Sequence, residues 1–199
     1  MSNRRHMLRR AMSTAIFLLP LGSSAQSLPT ATQTLKLSTF IATTRTSTGL
    51  DYGETLAITS GMDLTLLAYG RLDVAGELRG SYPVRRESVI SQASYVVGPK
   101  LQYPIRNIRP YIDFFVGRGR ITYLDGGYIF GDFKYIRSDS LVLSPGVGMD
   151  FHLNHRTALK VDFQYQSWEA PVVINGRITP WAQTVGATYN FDFNSRHPE

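Results

Sequence analysis

From Trp181 to Phe193 the odd positions carry Trp, Val, Ala, Tyr, Phe and Phe, with Gln183 the one exception, while the even positions carry Ala, Thr, Gly, Thr, Asn and Asp. Period-two striping is the pattern of a β-strand with one apolar face. The stripe recurs upstream, and Gly, Pro, Asn or Asp punctuate the intervals. It predicts eight strands, over about 35–45, 54–67, 71–83, 88–104, 110–123, 139–153, 157–168 and 180–193. No helical period persists after the first 25 residues, so the chain reads as all-β.

Parity separates the residue types in most segments. Leu56, Ile58, Met62, Leu64 and Leu66 oppose Thr55, Ala57, Thr59, Gly61 and Asp63. Leu72, Val74, Leu78 and Tyr82 oppose Asp73, Ala75, Glu77 and Arg79. Tyr95, Val97, Leu101 and Tyr103 oppose Gln92, Ser94, Gly98 and Lys100. Leu141, Leu143, Val147, Met149 and Phe151 oppose Ser140, Ser144, Gly146, Gly148 and Asp150, and Leu159, Val161, Phe163 and Tyr165 oppose Lys160, Asp162 and Gln164. The first and fifth segments break the rule: Phe40 falls on the polar side, and "YIDFFVGRG" is apolar on both faces.

Striping alone does not say whether the apolar face looks at a core or at lipid. Three features favour lipid. The opposite face mixes Gly, Ala, Ser and Thr with charges of both signs, which suits a cramped lumen better than a wet exterior. Asp63, Asp73, Glu77, Arg79, Lys100, Asp150, Lys160 and Asp162 are expected to form a charge network there. Connections at 46–53, 84–87, 124–138 and 169–179 are long or medium and alternate with tight ones at 68–70, 105–109 and 154–156, so the longer ones gather on one rim. Aromatics are expected in two belts, with Tyr69, Tyr103, Tyr111, Phe151, Phe191 and Phe193 at the tight-turn rim and Tyr82, Tyr123, Trp168 and Trp181 at the other. An even number of strands of about ten residues then predicts an eight-stranded antiparallel up-and-down transmembrane β-barrel.

The first 25 residues agree with export. Arg4, Arg5, Arg9 and Arg10 precede an apolar run from Ala11 to Leu21, and Ser23-Ser24-Ala25 offers a small-residue cleavage site. The expected organisation is a cleaved leader at 1–25, a lead-in at 26–34, the barrel at 35–193 and a tail at 194–199. The leader holds four of the 21 Lys and Arg and none of the 15 acids, which leaves 17 against 15 in the mature chain. The basic pI is thus a leader property, and nucleic acid is not an expected partner. The chain has no cysteine, which excludes disulfides and zinc-thiolate sites.

The "RPYIDFFVGRG" segment (Arg109–Gly119), the strand and loop plan, and Thr184-x-Gly186-x-x-Tyr189-x-Phe191 together resemble the small eight-stranded outer-membrane barrels of the OmpA/OmpX type. The resemblance covers about residues 35–193. It implies a bacterial outer-membrane location, with outer-membrane lipid as surroundings. It also implies that Thr184, Gly186, Tyr189 and Phe191 form the signal read by the barrel-assembly machinery. One departure is that the chain continues six residues past Phe193, where many such proteins end.

Enzymes of this size and fold use a His with a Ser, but His152 and His155 fall at the tight-turn rim and His197 in the tail. Asp73, Glu77 and Asp162 share their face with Arg79, Lys100 and Lys160, which points to charge pairing over acid/base catalysis. No catalytic residue, cofactor or metal is expected. The loop "DGGYIFGDFKYIRSD" offers Tyr128, Phe130, Phe133 and Tyr135, and "EAPVVINGRITP" adds Val172, Val173 and Ile174. These loops, 124–138 and 169–179, are the expected surface for a partner. The resulting expectation is a monomeric, non-enzymatic barrel serving envelope integrity or surface interaction. A narrow channel, a lipid-modifying enzyme and a soluble lipocalin-like binder follow as alternatives.

Overall fold

The computed structural model describes residues 36–47, 53–85, 90–123 and 126–192. The leader, the lead-in, Phe193 and the tail lie outside that range, and so does the Phe130 side chain. Twelve strands occur among the described residues: β1 (Lys36–Ser47), β2 (Glu54–Tyr69), β3 (Leu72–Arg85), β4 (Ile90–Gln102), β5 (Ile108–Tyr123), β6 (Tyr128–Phe130), β7 (Phe133–Tyr135), β8 (Arg137–His152), β9 (Thr157–Tyr165), β10 (Ser167–Glu169), β11 (Arg177–Ile178) and β12 (Trp181–Asp192).

Eight of these close a barrel in the order β1-β2-β3-β4-β5-β8-β9-β12, every neighbour antiparallel, and β12 returns to β1. The seam is long: β1 and β12 register from Lys36↔Asp192 to Ser47↔Trp181. Closure removes the edges, which is what permits a sheet to sit in lipid. Tight turns at Gly70–Arg71, Arg106–Asn107 and 153–156 fall on the rim that holds the N-terminal end of β1 and the C-terminal end of β12. In the first of these Gly70 takes a φ of 62°, the left-handed conformation a two-residue hairpin demands.

The apolar stripes face outward. Val161, Phe163 and Tyr165 are 40%, 43% and 52% exposed, while the intervening Lys160, Asp162 and Gln164 are buried inside. The same parity holds for Ile58 and Met62, Tyr95 and Val97, Leu141 and Val147, and Val185 and Tyr189. A water-soluble barrel would show the reverse, so the outer wall is built for hydrocarbon.

Phe40, expected on the polar side, is inward and 4% exposed, its ring covered by charged lumen groups rather than lipid. The expected aromatic belts need correction. Tyr111, Tyr123 and Trp168 do not belong to the aromatic belts, being 4%, 3% and 1% exposed inside the barrel. The outward rings at the tight-turn rim are Tyr69, Tyr103, Phe151 and Phe191. Near the other rim they are Tyr82, Tyr95, Tyr165 and Trp181, with Trp181 stacked on Phe163 at 5.9 Å.

Candidate functional site

The interior divides into two layers. In the half nearer the tight turns, β3 supplies Glu77 and Arg79, β4 Lys100, and β9 Lys160 and Asp162. Glu77 is the hub: its Oε1 accepts from Arg79 at 2.6 Å, and its Oε2 accepts from Lys160 at 3.0 Å and lies 3.5 Å from Lys100 Nζ. Arg79 reaches on to Asp162 at 2.7 Å, and Lys100 to Asp150 at 3.2 Å and Asp63 at 3.5 Å. Asp73 stands apart, 3.6 Å from Lys36 at the rim.

Aromatic rings complete this layer. The Arg79 guanidinium lies 4.7 Å from the Phe115 ring, Lys160 Nζ 4.4 Å from Phe40, and Lys100 Nζ 4.0 Å from Tyr111. Tyr111 also donates to Asp162 at 3.0 Å, and Gln164 donates to Asp113 at 2.8 Å and to Asp162 at 3.1 Å. Asp113 and Tyr111 escaped the parity reading because they sit in the doubly apolar "YIDFF". The lumen glycines are seats for these side chains. A Cβ on Gly148 would strike the Tyr111 ring, one on Gly146 would strike Gln164, and one on Gly61 would come within 2.6 Å of Phe40.

Toward the long-loop rim the lumen changes chemistry. Val96, Phe115, Ile121, Tyr123 and Val142 from the wall meet Trp168, Ala170, Val172 and Ile178 from the 166–180 connection in one apolar cluster. Tyr128 and Tyr135 of the β6–β7 hairpin pack against it. Trp168 is nearly fully buried because Gly119 leaves its ring a place to lie, and its indole donates to Gln166 at 2.9 Å. Beside the plug a row of hydroxyls, Thr184, Thr44, Thr59 and Ser81, bridges β12, β1, β2 and β3 at 2.6–2.8 Å.

The loop residues therefore split. Tyr128 and Tyr135 turn inward, half-buried, whereas Ile129, Phe133, Ile136 and Ile174 stand out, from 65% to 93% exposed. Val172 belongs to the plug rather than to the surface. Of the terminal-strand pattern, Thr184 and Gly186 face the lumen, and Tyr189 and Phe191 face outward, ring against ring at 5.1 Å. Among the described residues no three His, Asp or Glu side chains gather as a metal site.

Neither a family model nor a curated protein matches the chain. Solved structures do. The neisserial surface protein A barrel is 13% identical, with a TM-score of 0.51 over 80% of this chain and 97% of that one. Ail of Yersinia pestis, solved with the heparin analogue sucrose octasulfate, is 16% identical over 79% and 97%, with a TM-score of 0.49. The outer membrane enzyme PagL is 15% identical over 77% and 99%, with a TM-score of 0.40. The chain has the closed eight-stranded fold of the small outer-membrane barrels.

Proposed function

We propose that the protein is a bacterial outer-membrane barrel that works as a closed scaffold, serving envelope integrity and presenting its two long connections outside the cell. The observation that carries this reading is the filled lumen. Arg79, Lys100 and Lys160 are each held by at least one carboxylate, and above them Trp168, Phe115 and Val142 leave almost no accessible surface. Eight strands enclose little more than their own side chains, and a hydrophobic constriction blocks ions by dewetting.

The non-enzymatic part of the reading is supported by the placement of the histidines. His152 and His155 lie at the tight-turn rim, opposite the long connections that would meet the outer leaflet. The surface part is supported by Ile129, Phe133, Ile136 and Ile174, apolar side chains held in water on the long loops. The two expected outcomes are a heat-dependent gel shift of the refolded barrel and the absence of stepwise conductance in a planar bilayer. Discrete conductance steps from the unmodified protein would replace the scaffold with a channel. A mass change in outer-membrane lipid on expression would replace it with an enzyme.

A further inference from the structure

On one flank of the outer wall the lipid-facing stripe ends in cations. Along β5 the outward positions read Ile112, Phe114, Val116, then Arg118 and Arg120. The ladder sets Arg118 between Tyr95 of β4 and Leu141 of β8, and Arg120 between Ala93 and Asp139. Arg137 stands one step further out on β8, opposite Thr122. On β4 the apolar stripe from Tyr95 to Tyr103 spans nine residues, about the length a tilted strand needs to cross hydrocarbon. Arg118 thus stands where hydrocarbon gives way to headgroups on the long-loop side.

Arg118 and Arg120 line a groove of about 490 Å³ with Tyr82, Tyr95, Thr122 and Asp139 among its other walls. It is open because Ala93 is small and the Tyr95 ring rests against Gly80. Among the described residues Asp139 is the one acid on its walls, and it accepts from Arg120 at 2.7 Å with Arg137 at 3.6 Å. Two guanidiniums therefore share one carboxylate, and no ion pair holds Arg118 among the described residues. A guanidinium at the edge of an apolar wall, flanked by Tyr and Leu, is placed to meet an anion at headgroup height.

We propose that Arg118 and Arg120, with Arg137 beside them, seat the phosphate of a phosphorylated glycolipid headgroup in the outer leaflet. Two outward residues on one strand stand about 7 Å apart, so their side chains can bracket one phosphate with bidentate hydrogen bonds. Tyr82 and Tyr95 wall the sugar side of the groove, as aromatic rings do at membrane interfaces. The proposal rests on the outer-membrane reading of the fold.

The test titrates the full-length protein, refolded in detergent, with bis-phosphorylated lipid A and with the same lipid stripped of its phosphates, read by native mass spectrometry. Binding is expected to be about tenfold tighter for the phosphorylated lipid, and Arg118→Gln/Arg120→Gln to remove that advantage. Arg45→Gln, on another flank where Arg45 pairs with Glu54, is expected to keep it. Equal binding of both lipids by the unmodified protein overturns the proposal whether or not the variant folds. Complete competition by millimolar inorganic phosphate overturns it too, since the groove would then read the ion and not the lipid. The heat-dependent gel shift separates the two failures: its loss in the unmodified protein rejects the barrel reading, while its presence with equal lipid binding rejects only the headgroup site.

Discussion

Replacing Arg79 with Met isolates what the lumen network is worth. The guanidinium bonds Glu77 at 2.6 Å and Asp162 at 2.7 Å, and all three side chains are at most 5% exposed. Met fills much of the same volume, so packing changes little. Glu77 keeps Lys160 and Lys100, but among the described residues Asp162 keeps only the neutral donors Tyr111 and Gln164. Removing one partner of a buried pair costs about 3–5 kcal/mol, and Asp162 accounts for most of it. With an m-value of roughly 2 kcal/mol/M in urea, the midpoint should fall by about 1.5–2.5 M. The assay is urea unfolding of the refolded barrel, followed by the fluorescence of Trp168 and Trp181 with matched refolding curves. Adding Asp162→Asn to Arg79→Met should recover about half of the loss. A single variant within 0.3 M of the unmodified midpoint would show that the interior is wet enough to solvate Asp162 and that the lumen is not sealed.

Asp113→Asn should act in the opposite sense: Oδ1 accepts from Gln164, Oδ2 has no partner among the described residues, and removing the charge should raise stability by about 1 kcal/mol in the same urea assay. Trp168→Ala should cost about 3–5 kcal/mol by cavity formation, and is the substitution most apt to produce conductance in a planar bilayer. Gly119→Ala should cost about 1–3 kcal/mol through collision with the Trp168 ring and shift the Trp168 emission. Phe191→Ser should slow insertion by the barrel-assembly machinery in reconstituted vesicles more than it slows unassisted refolding in detergent; equal slowing in both would mean the residue is read only by lipid.

The outer wall was legible because lipid imposes one rule on every outward position, so Val161-x-Phe163-x-Tyr165 and its counterparts could be assigned by counting. The inner wall obeys no single rule. Its tight-turn half is polar, and there Glu77, Arg79, Lys100, Lys160 and Asp162 stand out by charge. Its loop half is apolar, so "YIDFFVGRG" shows hydrophobic residues on both faces and loses its stripe. Tyr123 is expected in an outer belt, yet it lines the plug together with Phe115. Trp168 misled for a related reason: an aromatic near a strand end suits an interface as well as a cap, and only the contact with Gly119 decides between them. Phe40 was the useful anomaly, since a ring on the polar face makes sense once Lys160 and Arg79 lie over it. The cationic flank at Arg118 and Arg120 carried a visible signal, two Arg continuing an outward apolar stripe, but nothing in the sequence placed Tyr82 and Asp139 beside it.

The central claim is that the apolar face meets lipid while the loop end of the lumen is dry, and two tryptophans report on both halves. In vesicles of brominated lipid, Trp181 (measured in Trp168→Phe) should be strongly quenched. Trp168 (measured in Trp181→Phe) should resist both the brominated lipid and aqueous acrylamide. Quenching of Trp168 by acrylamide with Trp181 untouched by lipid would contradict the account on both counts.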